Sequence, residues 1–166
     1  TVYFEDLGVD QLFIDEAHAY KKIPLVTKKS RVKGIPTGES QRAINLHVKA
    51  KHVQDKRGGA GVVAASGTPV TNTIGEAYVM LKLATPKVLE QYGIHNFDEW
   101  ANTFGAVKGD VEYTWGGTWQ YVERFKKFTN GPELQTLIRS GFDVAMGNEK
   151  LGLKVPAVKG GKPEIV

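Results

Sequence analysis

The sequence predicts an α/β fold built on a parallel sheet, and three observations predict it. Residues 12–14 ("LFI") and 61–66 ("GVVAAS") are short apolar runs bounded by polar residues, the pattern of strands buried on both faces. Between them Ala43, Leu46, Ala50 and Val53 recur at spacings of three and four, the period of an amphipathic helix. Each apolar run also ends in a polar signature, Asp15-Glu16-Ala17-His18 after the first and Ser66-Gly67-Thr68-Pro69 after the second. A strand, a connection containing a helix and a second strand form a βαβ unit, with parallel strands and a right-handed crossover. Both signatures then fall on one edge of the sheet, where open parallel sheets bind their ligands.

The segment between the first strand and the helix carries Lys21, Lys22, Lys28, Lys29, Arg31 and Lys33 without one acid from Ala17 to Gly38. Pro24, Gly34, Pro36 and Gly38 make it too irregular for a helix. It reads as a solvated loop or as a phosphate-contacting surface. Ser40 stands where its hydroxyl caps the first free amides of the helix, and Gly58-Gly59 end it. After Pro69 a second helix has Ile74, Ala77, Tyr78 and Leu81 on one face; Thr85-Pro86 interrupts it before a short helix over 87–92. Residues 96–104 predict a helix with Phe97, Trp100, Ala101 and Phe104 inward. In "VEYTWGGTWQYV", 111–122, β-formers flank Gly116-Gly117, a hairpin signal. A two-residue loop puts Tyr113 and Trp115 on one face, Trp119 and Tyr121 on the other. These rings either cover a small core or stack nucleic-acid bases. Pro132 opens a last helix reaching about residue 144, and the basic Gly/Pro tail over 151–166 leads toward a further segment.

With 166 residues, 41% of them hydrophobic, the chain has the length and core of one globular domain. No apolar run approaches the ~18 residues of a membrane span, so no membrane partner is expected. Having no cysteine, the chain excludes disulfides, thiolate catalysis and cysteine-zinc sites. With no amino-terminal signal visible, a cytoplasmic location is expected, and the opening residues read as the interior of a larger protein. His47 and His52 are five apart, a poor spacing for a shared metal on a helix, and read as helix-surface residues.

Two carboxylates delivered by an apolar strand either cap the following turn or hold a magnesium ion and a water for nucleotide hydrolysis. "LFIDEAH" resembles motif II of superfamily-two DEAH-type helicases and translocases. "SGTPVTN", 66–72, is similar to their motif III, most closely the form found in Swi/Snf-like DNA translocases. "SQRAINL", "GEAYVMLKLATPKVL", "FDEWANTFG", "FTNGPELQTLIRS" and "KGGKP" look like the large helicase proteins of phages and mobile elements, often fused to an adenine-specific DNA methyltransferase.

The resemblance implies a partial RecA-like motor lobe of the P-loop NTPase type, a parallel sheet flanked by helices, with an appended hairpin and carboxyl-terminal helices. Residues 1–85 would be the βαβ core, 86–150 the helices and hairpin, and 151–166 the tail. It makes Asp15 the magnesium-associated acid, acting through water, and Glu16 the base for water attack on the γ-phosphate. His18 would hydrogen-bond across to motif III. Ser66 and Thr68 would couple the nucleotide site to DNA, with Gly67 and Pro69 fixing the turn. The basic residues from Lys21 to Lys33 would grip the DNA backbone.

No G-x-x-x-x-G-K-[ST] occurs; "KGGKP" lacks both the first glycine at the right offset and the hydroxyl after lysine. A second motor lobe is absent as well. The expectation is therefore the carboxyl-terminal part of a first lobe, with a P-loop segment upstream and the second lobe downstream in a parent protein. That parent would use ATP and Mg2+; the isolated chain would bind neither and be inactive. A non-catalytic DNA- or protein-binding module retaining the lobe fold is the alternative. A metal-dependent nuclease would need further carboxylates converging on Asp15 and Glu16.

Overall fold

A computed structural model of the chain describes residues 2–29, 32–33, 35, 38–71 and 73–145. The predicted tail lies outside the described residues. Strand β1 (Leu12–Ile14) pairs in parallel with β2 (Val62–Ala64), Leu12 opposite Val62 and Ile14 opposite Ala64. Helix α1 (Gln41–Lys56) lies in the connection between them. The Ser40 hydroxyl accepts the Ala43 N–H at 3.4 Å at its start. At its end Gly58 and Gly59 take φ of 60° and 89°, the left-handed region that favours glycine. Ala43, Ala50 and Val53 are buried and Leu46 is half-buried. Gln54 is buried too, because its Nε2 donates to the Leu83 carbonyl at 2.7 Å.

The strands are not covered on both faces. Ile14 and Val62 pack with Ala50, Met80 and Leu83, whereas Phe13 is 75% exposed and Val63 54%. Side chains alternate along a strand, so a two-stranded sheet with helices against one face turns its middle residues outward. Helix α2 (Ile74–Ala84) also departs from the expected single apolar face, since residues 75–81 are buried all round it. It runs between two cores: Ala77, Tyr78 and Leu81 serve the larger, Met80 and Leu83 the one beneath the sheet.

The larger core gathers α3 (Pro86–Gln91), α4 (Phe97–Phe104) and α5 (Gly131–Gly141) around α2. Asn96 caps α4 by accepting the Glu99 N–H at 3.0 Å. Phe97, Trp100, Ala101 and Phe104 are all buried, with Trp100 and Phe104 edge to face at 4.8 Å. Helix α5 stops at Gly141, short of the expected end, because Phe142 leaves in extended backbone and packs against both cores.

Strands β3 (Gly105–Tyr113) and β4 (Trp119–Phe128) form a hairpin longer than its sequence signal. Glycine is a poor strand former, yet Gly105 and Gly109 let rings lie across the backbone. A Cβ at Gly105 would stand 2.5 Å from Phe125 Cε1, and one at Gly109 would overlap the Tyr121 hydroxyl. The connection is residues 114–118, closed by the Thr114 N–H donating to the Thr118 carbonyl at 2.8 Å and the Thr114 hydroxyl donating to it at 3.0 Å. Tyr113 therefore faces Trp119, and Val111 faces Tyr121. This is one residue out of the expected register, and such a slip moves side chains to the other face: Tyr113, Trp119 and Tyr121 share a side. Lys33 runs alongside β4 as a parallel bridge, its N–H donating to the Glu123 carbonyl at 2.8 Å and its carbonyl accepting the Phe125 N–H at 3.1 Å.

Candidate functional site

Hydrogen bonding continues past the ends of β1 and β2. The Ala65 N–H donates to the Ile14 carbonyl at 2.8 Å and the Ala17 N–H to the Ala65 carbonyl at 2.9 Å. Two exchanges of this kind hold Asp15-Glu16-Ala17-His18 beside Ser66-Gly67-Thr68 on one rim. Ala17 is wholly buried at the junction. Glu16 has φ 50° and ψ 45°, a left-handed conformation uncommon for a residue with a Cβ, which turns the chain sharply as it leaves β1. Asp15 Oδ1 accepts the Glu16 N–H at 2.8 Å and braces that turn. Both acids are exposed.

His18 joins the two signatures. Its Nδ1 lies 3.1 Å from Glu16 Oε2 and 3.1 Å from Ser66 Oγ. An ionised carboxylate only accepts hydrogen bonds, so Nδ1 carries a proton shared between the carboxylate and the hydroxyl. Ser66 Oγ in turn accepts the Thr68 N–H at 3.2 Å. The path Glu16–His18–Ser66–Thr68 thus crosses from one strand end to the other. Pro69 is half-buried on the same loop. Gly67 has open space where a Cβ would sit, so nothing around it demands glycine.

A second link lies behind the first. Lys21 Nζ is 3.1 Å from Glu76 Oε2 and donates to Thr71 Oγ1 at 2.6 Å, while the Thr71 N–H and hydroxyl donate to Glu76 at 2.7 and 3.1 Å. The Lys21 and Glu76 side chains are only 13% and 9% exposed. Lys21 was expected at a phosphate; its ammonium is turned inward as a clasp between the segment after His18, the loop after Pro69 and α2. Sequence reasoning singled out neither Thr71 nor Glu76. The available signal was an acid inside the apolar run "IGEAYVML".

Among the other basic candidates, Lys33 is 3.2 Å from Glu112, whose other oxygen accepts from Arg124 Nη2 at 2.6 Å. The hydrogen bond from Lys33, joined by that from Arg124, holds the Glu112 carboxyl below its ordinary range. Lys22 and Lys28 are exposed and Lys29 is partly so. Their loop is anchored at Asp98, which accepts the Lys28 N–H at 3.0 Å and the Thr27 hydroxyl. The Lys28 amide, then Thr27, lower the Asp98 pKa. Arg31 lies outside the described residues.

His47 is not a surface residue as expected. Helix α1 packs its middle against the turn over Ala17–Tyr20, and His47 Nε2 meets the Tyr20 carbonyl at 3.2 Å. Burial pushes its pKa down, and Lys82 adds to this against the opposing Tyr20 hydrogen bond. It lines a cavity of about 650 Å³ between α1, α2 and α3 with Ile23, Tyr78, Lys82, Leu83 and Leu89, away from the rim. His52 packs edge-on against Phe4 at 5.9 Å. Among the described residues no three His, Asp or Glu side chains are grouped to hold a metal. One exposed carboxylate, Asp15, fits a magnesium ion that keeps most of its water and takes further ligands from phosphates.

A family model described as "Probable helicase domain" matches residues 1–144. The chain belongs to this helicase-domain family. The helicase domain is also similar to the defense against restriction protein B of Escherichia phage P1, with 34% identity over 109 residues, 64% of this chain and 5% of the phage protein. It therefore spans a small part of that relative's length. No solved structure matches it. Among the described residues no helix is long and apolar enough to cross a membrane.

Proposed function

We propose that the chain is part of the first RecA-like lobe of an ATP-dependent DNA translocase or helicase of the Swi/Snf-like, superfamily-two kind. Other segments of a parent protein supply the phosphate-binding loop and the second lobe. The observation that carries this reading is the His18 bridge, which ties an exposed acid pair to the Ser66-Thr68 bend across adjacent parallel strands. The relative's name, defense against restriction, supports DNA as the track.

In this reading Asp15 would hold a magnesium ion through water, and the ion would supply charge neutralisation to a bound triphosphate. Glu16 accepts the proton of the attacking water. His18 orients the Glu16 carboxylate through Nδ1–H, and because the same proton reaches Ser66, displacement of the 66–71 loop by DNA changes how Glu16 is held. Lys22, Lys28 and Lys29 contact phosphates without reading sequence, so binding weakens steeply with salt.

The test is Glu16→Gln in the parent protein. The amide keeps the shape and loses the base, so DNA-stimulated ATP hydrolysis should vanish while labelled ATP still binds. Turnover equal to that of the wild type would overturn the assignment.

A further inference from the structure

We propose that the tip of the β3–β4 hairpin is a stacking platform for single-stranded nucleic acid, separate from the rim of Asp15 and Ser66. The hairpin carries two kinds of surface on one side. Near its base Val107 and Phe125 pack onto the larger core. Toward its end Tyr113, Trp119 and Tyr121 share that side but reach solvent, 62%, 71% and 66% exposed, and Trp115 projects from the connection fully exposed. No described residue covers these rings as a core would.

Three of the four rings lie against a neighbour. Tyr113 and Trp119 meet edge to face at 5.1 Å, an arrangement that leaves flat ring surface open, and the Thr114–Thr118 hydrogen bonds close the end beneath Trp115. Tyr121 is laid over Gly109, where a side chain would displace it. Rings fixed in this way lose little freedom when a planar ligand settles on them.

Charge selects the occupant. Glu112 is the one acid between Val111 and Val122, and Lys33 and Arg124 both pair with it, so the tip presents no net negative charge. Down the shaft, Lys108 and Lys127 are exposed on the face opposite the rings, which also carries the exposed Asp110, and through Lys33 the acid-free basic segment abuts β4. Glu123, below Tyr121 on the aromatic side, marks the lower limit of the platform. A neutral aromatic tip leading to a basic shaft suits a flexible strand whose bases stack on rings while its phosphates follow cations. A duplex hides the faces of its bases and cannot use such a surface along its length. This proposal does not rest on ATP hydrolysis, and Glu16→Gln should leave it untouched.

The three tryptophans make the test direct, because Trp100 is fully buried while Trp115 and Trp119 are exposed. Oligothymidylate of about 10 nucleotides, near the site size of small single-strand binders, should quench the exposed indole emission in the 166-residue chain, less so as salt rises. A blunt duplex of the same length should bind more weakly. Trp115→Ala and Trp119→Ala should each weaken binding about 5- to 100-fold by anisotropy of a labelled oligonucleotide, with Trp115→Phe close to wild type. Circular dichroism and Trp100 emission in each variant report that the fold is kept. Unchanged affinity in both alanine variants, or duplex bound as tightly as single strand, would overturn the proposal. Self-association in sedimentation that Trp115→Ala abolishes, with no effect on oligonucleotide, would assign the face to a second copy instead.

Discussion

Glu76→Ala tests the clasp behind the rim. The substitution removes the acceptor of two Thr71 bonds and the partner of an ammonium 3.1 Å away on a side chain only 13% exposed. Breaking a buried ion pair from one side costs about 3–5 kcal/mol. Lys21 keeps its bond to Thr71 Oγ1 and some access to water, so the cost should fall to about 2–4 kcal/mol. With a urea dependence of about 2 kcal/mol per molar, the unfolding midpoint should drop by roughly 1–2 M, followed by circular dichroism. Lys21→Met with Glu76→Leu removes both charges together, and most of the loss should be recovered. A midpoint within about 0.2 M of wild type for Glu76→Ala, or a double variant as costly as the sum of the singles, would refute the reasoning.

Three further outcomes follow from the core and the cavity. The folded-state pKa of His47 lies below its ordinary 6.5, so below that pH the unfolded chain binds more protons and stability falls. That slope, at most about 1.4 kcal/mol per pH unit, should run from 6.5 down to the lowered folded value and flatten in His47→Gln, measured by urea midpoints across pH. Gly141→Ala drives a Cβ into Leu81 and to 3.0 Å from Thr85 Oγ1, and should cost about 1–3 kcal/mol, read as a lower Tm. Trp100→Ala empties the centre of the aromatic cluster and should cost about 3–5 kcal/mol, a large share of a domain's stability, seen as loss of cooperative melting near room temperature.

What could be read along the chain was whatever neighbours in sequence decide. Ser40 and the Gly58-Gly59 pair mark the ends of α1 because a cap is made within one turn, whereas the Asn96 cap of α4 emerged only in the structure. The four inward residues of α4 were legible because a 3.6-residue period carries its own geometry. The hairpin was half legible: the β-formers announced it, but Thr114 and Thr118 closed a longer connection than the glycine pair suggested, and one residue of register changed which rings stand together.

By itself the sequence determined where the helices fall and how α1 is capped, the two short strands, and the acidic and Ser-Gly-Thr-Pro signatures at their ends. Only the tertiary structure decided that His18 spans those signatures, that Lys21 turns inward to Glu76, and that Phe13 and the hairpin rings face solvent. The physical reason is range. Caps and periodicity act within a few residues, whereas an ion pair or an exposed face depends on which distant segment packs alongside, and no local pattern encodes that neighbour.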